Sequence, residues 1–538
     1  MAVIHQYSSS SFSWFHLLAL PAAAAALAFI YCIFIAVYRL FFHPLAKYPG
    51  PVVAKVTAWR DVYHAYRGDK HLDFHQLHQK YGPVVRYGPN TLSFNHPAAL
   101  KAIYGHKANV RKSDFYLSFP VAPGVFSTHT AIDRAAHARK RRVMSHAFSE
   151  AALKSVEDYV LGHVRTYIQQ LAGGTSNAWT EPRDVATWSA YLGFDVMGDL
   201  SFGKSFGMLE GDNPEVRRAT YLLSRAAKRH NVTGPMPWLH QSRFDRLLFR
   251  KINQDRDQYM AFSKKQVGER MNSDVYNSSR RDFFYYLLNA KDPESGQGFA
   301  KGELWGESNT LIIAGSDTTS TTITSTIFYL LHNPIALATV QKEIREKFGS
   351  VEDIRAGPVL NSCTYLRACI DEAMRMSPPV SAILPRFTLD GGLDIPGLDI
   401  HIPAGVGVGC PIYGLHHNTD YVPDPFTYRP ERWILGQSAT EESLDALHSV
   451  FNPFSIGPRG CIGKPMAYLE LTLTLGRLLW GYEMRLAPGD QGRMGEGNAK
   501  LGNGRERENE FQMWDIFVSD KEGPVAQFMP REWNLLHE

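Results

Sequence analysis

The stretch Phe454-Ser-Ile-Gly457-Pro-Arg459-Gly460-Cys461-Ile-Gly463 constrains the fold more than any other ten residues of the chain. Three glycines and a proline surround one cysteine, and an apolar run from Lys464 to Trp480, with Pro465 near its start, follows directly. Proline is tolerated in the first turn of a helix, where its missing N–H would have no partner anyway. The spacing therefore predicts a glycine-rich turn leading into a helix. Gly457, Gly460 and Gly463 remove side chains where the backbone must pass close to a flat cofactor, and they permit backbone angles that other residues resist. Cys461 then lies just before a helix N-terminus, where partial positive charge favours a thiolate and amides can point at the sulfur. Arg459 is placed to pair with a carboxylate.

A cysteine in a glycine-rich turn is more often a small buried hydrophobe, so the full spacing has to decide. A zinc site lacks partners: no Cys-x-x-Cys or His-x-x-x-His lies near, and the closest other cysteine is Cys410. The ten residues match Phe-x-x-Gly-x-Arg-x-Cys-x-Gly without a gap, and the chain resembles the cytochrome P450 family of haem-thiolate monooxygenases, in particular the fungal microsomal type. The resemblance runs from the prolines at Pro44 to Pro51 through Gly523-Pro524. It implies a mainly α fold with a small β region. It also implies heme (iron protoporphyrin IX) with Cys461 as axial thiolate and metal ligand, held in a loop that includes Phe454, Gly457, Arg459 and Gly463.

A second motif lies in Leu311-Ile-Ile-Ala314-Gly315-Ser316-Asp317-Thr318-Thr319, within a segment from about Glu303 to His332 that stops at Asn333-Pro334. Nine of the eleven residues from Ser316 to Thr326 are Ser or Thr, which compete with the backbone for hydrogen bonds and are poor in a helix interior. Apolar flanks on both sides still predict a helix. A glycine beside Asp-Thr in a buried helix offers room for a ligand, a local widening and a proton relay. The family's Ala/Gly-Gly-x-Asp/Glu-Thr pattern falls on Ala314, Gly315, Asp317 and Thr318. The resemblance thus implies two catalytic residues, Thr318 as the oxygen-side hydroxyl and Asp317 as its acidic neighbour.

Glu372 and Arg375 share a face of a helix expected from about Thr364 to Ser377. Arg432, in Pro430-Glu431-Arg432-Trp433, can join them, and the resemblance makes the three a fold-locking network without a catalytic role. Pro385-Arg386 resembles the strand whose arginine reaches a haem propionate. His137-Ala-Arg-Lys-Arg141-Arg142 resembles the helix carrying the family's Trp-x-x-x-Arg motif, with Arg141 in the Arg position and His137 in place of Trp. Either can donate a hydrogen bond to a propionate. The competing reading of this basic run is a solvated face, or a docking surface for an acidic flavoprotein. Gly405, Gly407 and Gly409 read as a turn into a strand and not as a nucleotide loop, because no helix follows them.

From Leu17 to Tyr38 no residue is charged, and a helix of that length covers roughly 33 Å. The expected organisation is a short lumenal N-terminus (1–16), a transmembrane anchor (17–38), a proline-rich hinge (39–51) and a catalytic domain (52–538). No Lys or Arg precedes the apolar run, whereas Arg39, Lys47, Lys55 and Arg60 follow it, which places the catalytic domain on the cytosolic face. A cleaved signal peptide is the competing reading; the missing basic n-region and an apolar run longer than ~7–15 residues count against it. Five cysteines, an odd count, favour a reducing compartment. Lys plus Arg number 57 against 53 Asp plus Glu, a net +4 that gives no reason to expect nucleic acid as a partner. Asn231-Val-Thr233 and Asn277-Ser-Ser279 match the glycosylation pattern, but on a cytosolic domain they are chance matches.

The resemblance then implies a single-pass endoplasmic reticulum membrane protein that inserts one oxygen atom from O2 into an apolar small molecule, by hydroxylation or epoxidation, in fungal secondary metabolism. No flavin or iron–sulfur signature is present, so electrons are expected from NADPH-cytochrome P450 reductase, with cytochrome b5 as a second candidate donor. Substrate walls are expected from Asn109 to Thr130, Ala226 to Trp238, Ile313/Ala314 and Val380 to Leu384. Two rival readings are a haem-thiolate isomerase or dehydratase that does not need O2, and a non-catalytic haem-binding membrane protein. The Asp317-Thr318 pair counts against both.

Overall fold

The structure, a computed structural model, describes residues 14–173, 178–211, 214–240, 242–272 and 280–531. Asn277-Ser-Ser279 and most of the short N-terminal segment lie outside these residues. The fold is mainly helical with small sheets. Its centre is the helix Lys301–His332, which packs against the helices Val185–Phe202, Thr364–Met376 and Lys464–Gly481. Ile323, Ile327, Phe328 and Leu330 of the long helix are fully buried, together with Leu192 and Val196 of one neighbour and Leu475 and Leu478 of another.

The Ser/Thr run forms a helix because its hydroxyls turn inward. Thr318, Thr321, Thr324 and Thr326 each donate to the carbonyl one turn back, at 2.6, 2.7, 2.6 and 2.7 Å. Hydroxyls that would compete with the ladder elsewhere are thus satisfied within it. The helix ends at Asn333, and Pro334–Lys347 leaves at an angle of 114°. Gly315 does not open room for a ligand in the direction its side chain would take. A Cβ there would lie 2.5 Å from Met197 Sδ, and one on Gly193 would lie 2.7 Å from the Ser316 carbonyl oxygen. Gly193 thus lets its helix meet the backbone of the long helix, and Gly315 makes room for the Met197 side chain, correcting the expectation drawn from the motif.

Five short strands form the main sheet in the order Val84–Gly88, Thr91–Phe94, Gly407–Gly409, Arg386–Thr388, Val110–Lys112. Gly405, with φ +76°, makes the turn before the central strand, as its sequence suggests. In the antiparallel pair at the sheet edge, Lys112 stands opposite Arg386.

Trp14–Val37 is helical and continues through a π-helical turn, Tyr38–Phe42. Pro21–Phe42 is long and apolar enough to cross a membrane and is exposed along its length, which makes it a candidate membrane anchor. The segment after it is tied to the body of the protein: Arg39 donates to the Val56 carbonyl at 2.6 Å, and Arg86 donates to the Arg39 carbonyl at 2.8 Å. Asn231 is buried and donates to the Asp515 carbonyl at 3.0 Å, so its glycosylation pattern is inaccessible in the fold.

Glu372 is fully buried at the junction of the Thr364–Met376 helix and the Pro430–Trp433 turn. Arg375 and Arg432 each donate to its carboxylate, at 2.8 and 2.9 Å, as does the Trp433 indole at 2.9 Å. Burial alone would raise its pKa, but Arg375 foremost, then Arg432 and Trp433, outweigh that and hold it at about 2. Because the folded pKa lies below the ordinary 4.5, this group stabilises the fold fully above pH ~4.5, and the contribution is lost as pH falls toward 2. Glu372→Ala leaves two buried guanidinium groups without their acceptor and should cost about 3–5 kcal/mol. The expected outcome is little soluble protein and no haem absorbance; a Glu372→Ala protein with wild-type haem content and thermal stability would contradict this role.

Candidate functional site

The cysteine loop folds as a turn closed by Cys461 N–H donating to the Phe454 carbonyl at 2.8 Å. Of its three glycines only Gly457 has a left-handed φ, +70°, and a Cβ there would collide with the Tyr104 carbonyl oxygen. Gly460 and Gly463 have φ of −62° and −80°, angles open to any residue, so the expectation that all three need special angles holds for one. The Phe454 ring packs on Tyr468 at 5.3 Å between centroids. Lys464–Gly481 begins immediately after Gly463, with Pro465 in its first turn.

Cys461 is open at its surface but deeply set, so burial is the larger influence and pushes its thiol up. The backbone N–H of Gly463, the Arg141 guanidinium and the backbone N–H of Lys464 pull it down. Cys410, by contrast, is pushed up by burial with nothing opposing it. The sulfur of Cys461 thus has the donors that a thiolate needs.

Beside this loop a group of cations converges. Lys112 and Arg386 face each other across the sheet edge, both buried, an arrangement of like charges that destabilises a strand pair unless an anion lies between them. The Lys112 ammonium donates to the His129 carbonyl and sits over the Tyr116 ring at 4.2 Å. Burial first, then Arg386 and Arg459, push its pKa far down. His137 is held at about 3 by burial, then Arg459, Lys112, Arg141 and Arg386. Arg459 is lowered to about 10 by burial and then by Arg386.

Apart from burial, every influence on Lys112, His129 and His137 is cationic. Their arginine neighbours donate to carbonyls and to a tyrosine hydroxyl, and the only carboxylate named as acting on them is Asp133, on Arg459, so most of the charge is uncompensated. Buried positive charge of this density is costly without an anion, and a flat group bearing two carboxylates would neutralise it by charge-assisted hydrogen bonds. The residues present therefore fit haem.

Arg459 and Arg141 also have structural duties that their motifs do not reveal. Arg459 donates to the Ala131 and Ile132 carbonyls at 2.6 and 2.9 Å, and Arg141 donates to the Gly460 carbonyl at 2.6 Å. Both pin the cysteine loop. The rest of the basic run is not a free face: Arg139 and Lys140 pair with Glu303, and Arg142 pairs with Asp292 at 2.5 Å. Lys140 is buried, whereas Arg139 and Arg142 are half-buried and held in these ion pairs, so part of the run is committed to partners within the protein. Lys112 and His129 were not visible in the sequence as site residues, since a lysine in a three-residue strand carries no motif.

On the long helix, Thr318 Oγ1 donates to the Ala314 carbonyl at 2.6 Å and makes no hydrogen bond to Asp317. Asp317 is pushed up to about 6 by burial, against the pull of Lys521 and with a further push from Asp520. Its Oδ2 is buried without a hydrogen-bond partner. A separate pocket of about 90 Å³ is lined by Phe115, Gly234, Val380, Ile383 and Phe517 among others. It draws on three of the four segments expected to wall the substrate; Ile313 and Ala314 do not line it.

Residues 49–507 match the family model described as Cytochrome P450. The chain is similar to the cytochrome P450 monooxygenase apf7 of Gibberella fujikuroi, 39% identical over 527 residues that cover 93% of this chain and 96% of the relative. It is similar to the cytochrome P450 monooxygenase AKT7 of Alternaria alternata, 40% identical over 511 residues covering 94% and 96%. A third relative, the cytochrome P450 monooxygenase poxM of Penicillium oxalicum, is 37% identical over 514 residues covering 95% of each chain. With a thiol set beneath backbone amides, an anion-seeking group of cations beside it and full-length likeness to these oxidoreductases, the chain belongs to the cytochrome P450 family, whose cofactor is haem ligated by a cysteine thiolate.

Proposed function

We propose that this protein is a membrane-anchored haem-thiolate monooxygenase that inserts one oxygen atom of O2 into an apolar small molecule of fungal secondary metabolism, by hydroxylation or epoxidation. The observation that carries the reading is the Cys461 thiol beneath the Gly463 and Lys464 amides, next to the buried cations Lys112 and Arg386. In hydroxylation a C–H bond becomes C–OH, the second oxygen atom leaves as water, and two electrons and two protons are consumed.

Haem, bound through Cys461, would supply the oxygen-activating redox chemistry. The protein's own groups have separable tasks. Arg141 and Arg459 hold the cysteine loop in place, while Lys112, His137 and Arg386 would hold the haem carboxylates. Thr318 spends its hydroxyl proton on the Ala314 carbonyl, which leaves the oxygen lone pairs free to accept. Asp317, at about 6, is shared between its acid and ionised forms near neutral pH and can hold or release a proton at Oδ2. The pocket by Phe115, Val380 and Ile383, whose lining also includes Asp61, Lys70 and Asp515, offers a mixed apolar and charged surface for a small molecule.

Electrons would come from NADPH-cytochrome P450 reductase, with cytochrome b5 as a second donor. The span Pro21–Phe42, with Arg39 inside its last turn and Lys47 and Lys55 beyond it, supports anchoring in the endoplasmic reticulum with the catalytic domain cytosolic.

Two measurements test this. The reduced protein with CO should show the absorption band of thiolate ligation, and Cys461→Ala should lose it; a persisting band would remove Cys461 as the ligand. Thr318→Ala should keep that band but divert electrons, lowering product per NADPH by about tenfold or more with hydrogen peroxide in its place. Unchanged product per NADPH would show that Thr318 takes no part in proton delivery.

A further inference from the structure

A half-buried lysine that the scheme above leaves unused lies close to Asp317. The strands Met513–Asp515 and Ser519–Lys521 form a hairpin whose position beside the long helix is fixed at several points. At its tip, Phe517 takes a φ of +88°, rare for a bulky residue, and its N–H donates to Asp515 Oδ1 at 2.9 Å. Ser519 Oγ donates to the Pro379 carbonyl at 3.0 Å. The next residue but one is Lys521, whose ammonium donates to Ser320 Oγ at 3.1 Å; Ser320 Oγ in turn donates to the Asp317 carbonyl at 3.0 Å. Ser320 is fully buried.

We propose that Lys521 is a positioning residue for proton delivery, a cation that the hairpin holds beside the long helix to govern how readily the Asp317 carboxyl gives up its proton. The geometry suits tuning better than pairing. Lys521 and Asp317 make no ion pair within 4.0 Å, so the ammonium does not occupy the carboxylate's acceptors, and Asp317 Oδ2 stays without a partner. A direct salt bridge would hold the acid ionised and occupy acceptor sites on its oxygens. An offset cation favours the ionised form while leaving Oδ2 available.

The groups facing Asp317 come from several elements. Lys521 and Asp520 lie on the hairpin, and Tyr259, on the helix Arg250–Asn272, has a buried hydroxyl whose pKa Asp317 helps to raise. Asp184 acts on Lys521 from the strand beyond. Lys521 is the one cation among the named influences on Asp317, and burial and Asp520 both oppose it. Removing it must therefore raise the proton affinity of Asp317.

The inference rests on the monooxygenase reading only for its activity measurements. The carboxyl band of Asp317 in the infrared spectrum of the oxidised holoprotein, identified by its loss in Asp317→Asn, gives a titration midpoint independent of turnover. Lys521→Met should move that midpoint upward by about one unit, a tenfold change in the proton equilibrium. Lys521→Arg should leave it close to wild type.

With haem content and the CO band retained, Lys521→Met should also lower product per NADPH by about threefold or more, with more peroxide. In an Asp317→Asn background the same substitution should add nothing. Lys521→Gln serves the same purpose if Lys521→Met does not fold. An unmoved midpoint, or an equal loss of coupling in the Asp317→Asn background, would overturn the proposal. A wild-type protein with no donor-dependent oxidation would instead overturn the monooxygenase reading, while the infrared midpoint would still decide the role of Lys521.

Discussion

Glu372 gathers donors from two distant parts of the chain onto one fully buried carboxylate: Arg375 from its own helix, and Arg432, Trp433 and the Arg429 backbone from a segment some sixty residues later. Neither the carboxylate nor either guanidinium can be desolvated alone without a cost of several kcal/mol, so the helix and the Arg429–Trp433 turn must fold together. Arg375 extends the network to the His416 and Pro425 carbonyls, which fixes the intervening chain as well. His416, which also bonds the Arg375 carbonyl, accepts from the Asn452 N–H at 3.0 Å, so the chain just before the cysteine loop is tied to this join.

Around that anchor the site is assembled from imbalances that the fold alone leaves open. Lys112 and Arg386 would repel across a strand pair with no anion between them. The Cys461 thiol is opposed by burial and favoured by amides. Haem would relieve both, with its carboxylates neutralising the cations and the Cys461 sulfur serving as its thiolate ligand. The long helix follows a similar logic. Its hydroxyls are satisfied by its own carbonyls, yet Asp317 keeps one oxygen without a partner, and a group left in that state inside a protein is available for chemistry.

Much of this was legible from residue order because the chemistry is local. Phe454 to Gly463 followed by Pro465 encodes a turn and a helix start within fifteen residues, and Glu372 with Arg375 needs only helical spacing. The stop at Asn333-Pro334 is likewise a short-range signal. What escaped the sequence depends on strand register and helix packing. Lys112 becomes a site residue only because Val110–Lys112 pairs with Arg386–Thr388 in one register, and a one-residue slip would point it away. The role of Gly315 was misread for the same reason: the neighbour that needs its missing side chain, Met197, is more than a hundred residues earlier.

By itself, the sequence determined the thiol, the acid and hydroxyl of the long helix, the mainly helical class and an apolar run long enough to span a bilayer, since each rests on residues close together in the chain. Only the tertiary structure decided which charges face one another. It placed Arg139, Lys140 and Arg142 in ion pairs with carboxylates distant in the chain, brought Lys112 to Arg386, and set Lys521 beside a helix two hundred residues before it. Electrostatic influence acts through space and depends on burial, so a linear order of residues holds neither the distances nor the dielectric that give a charge its effect.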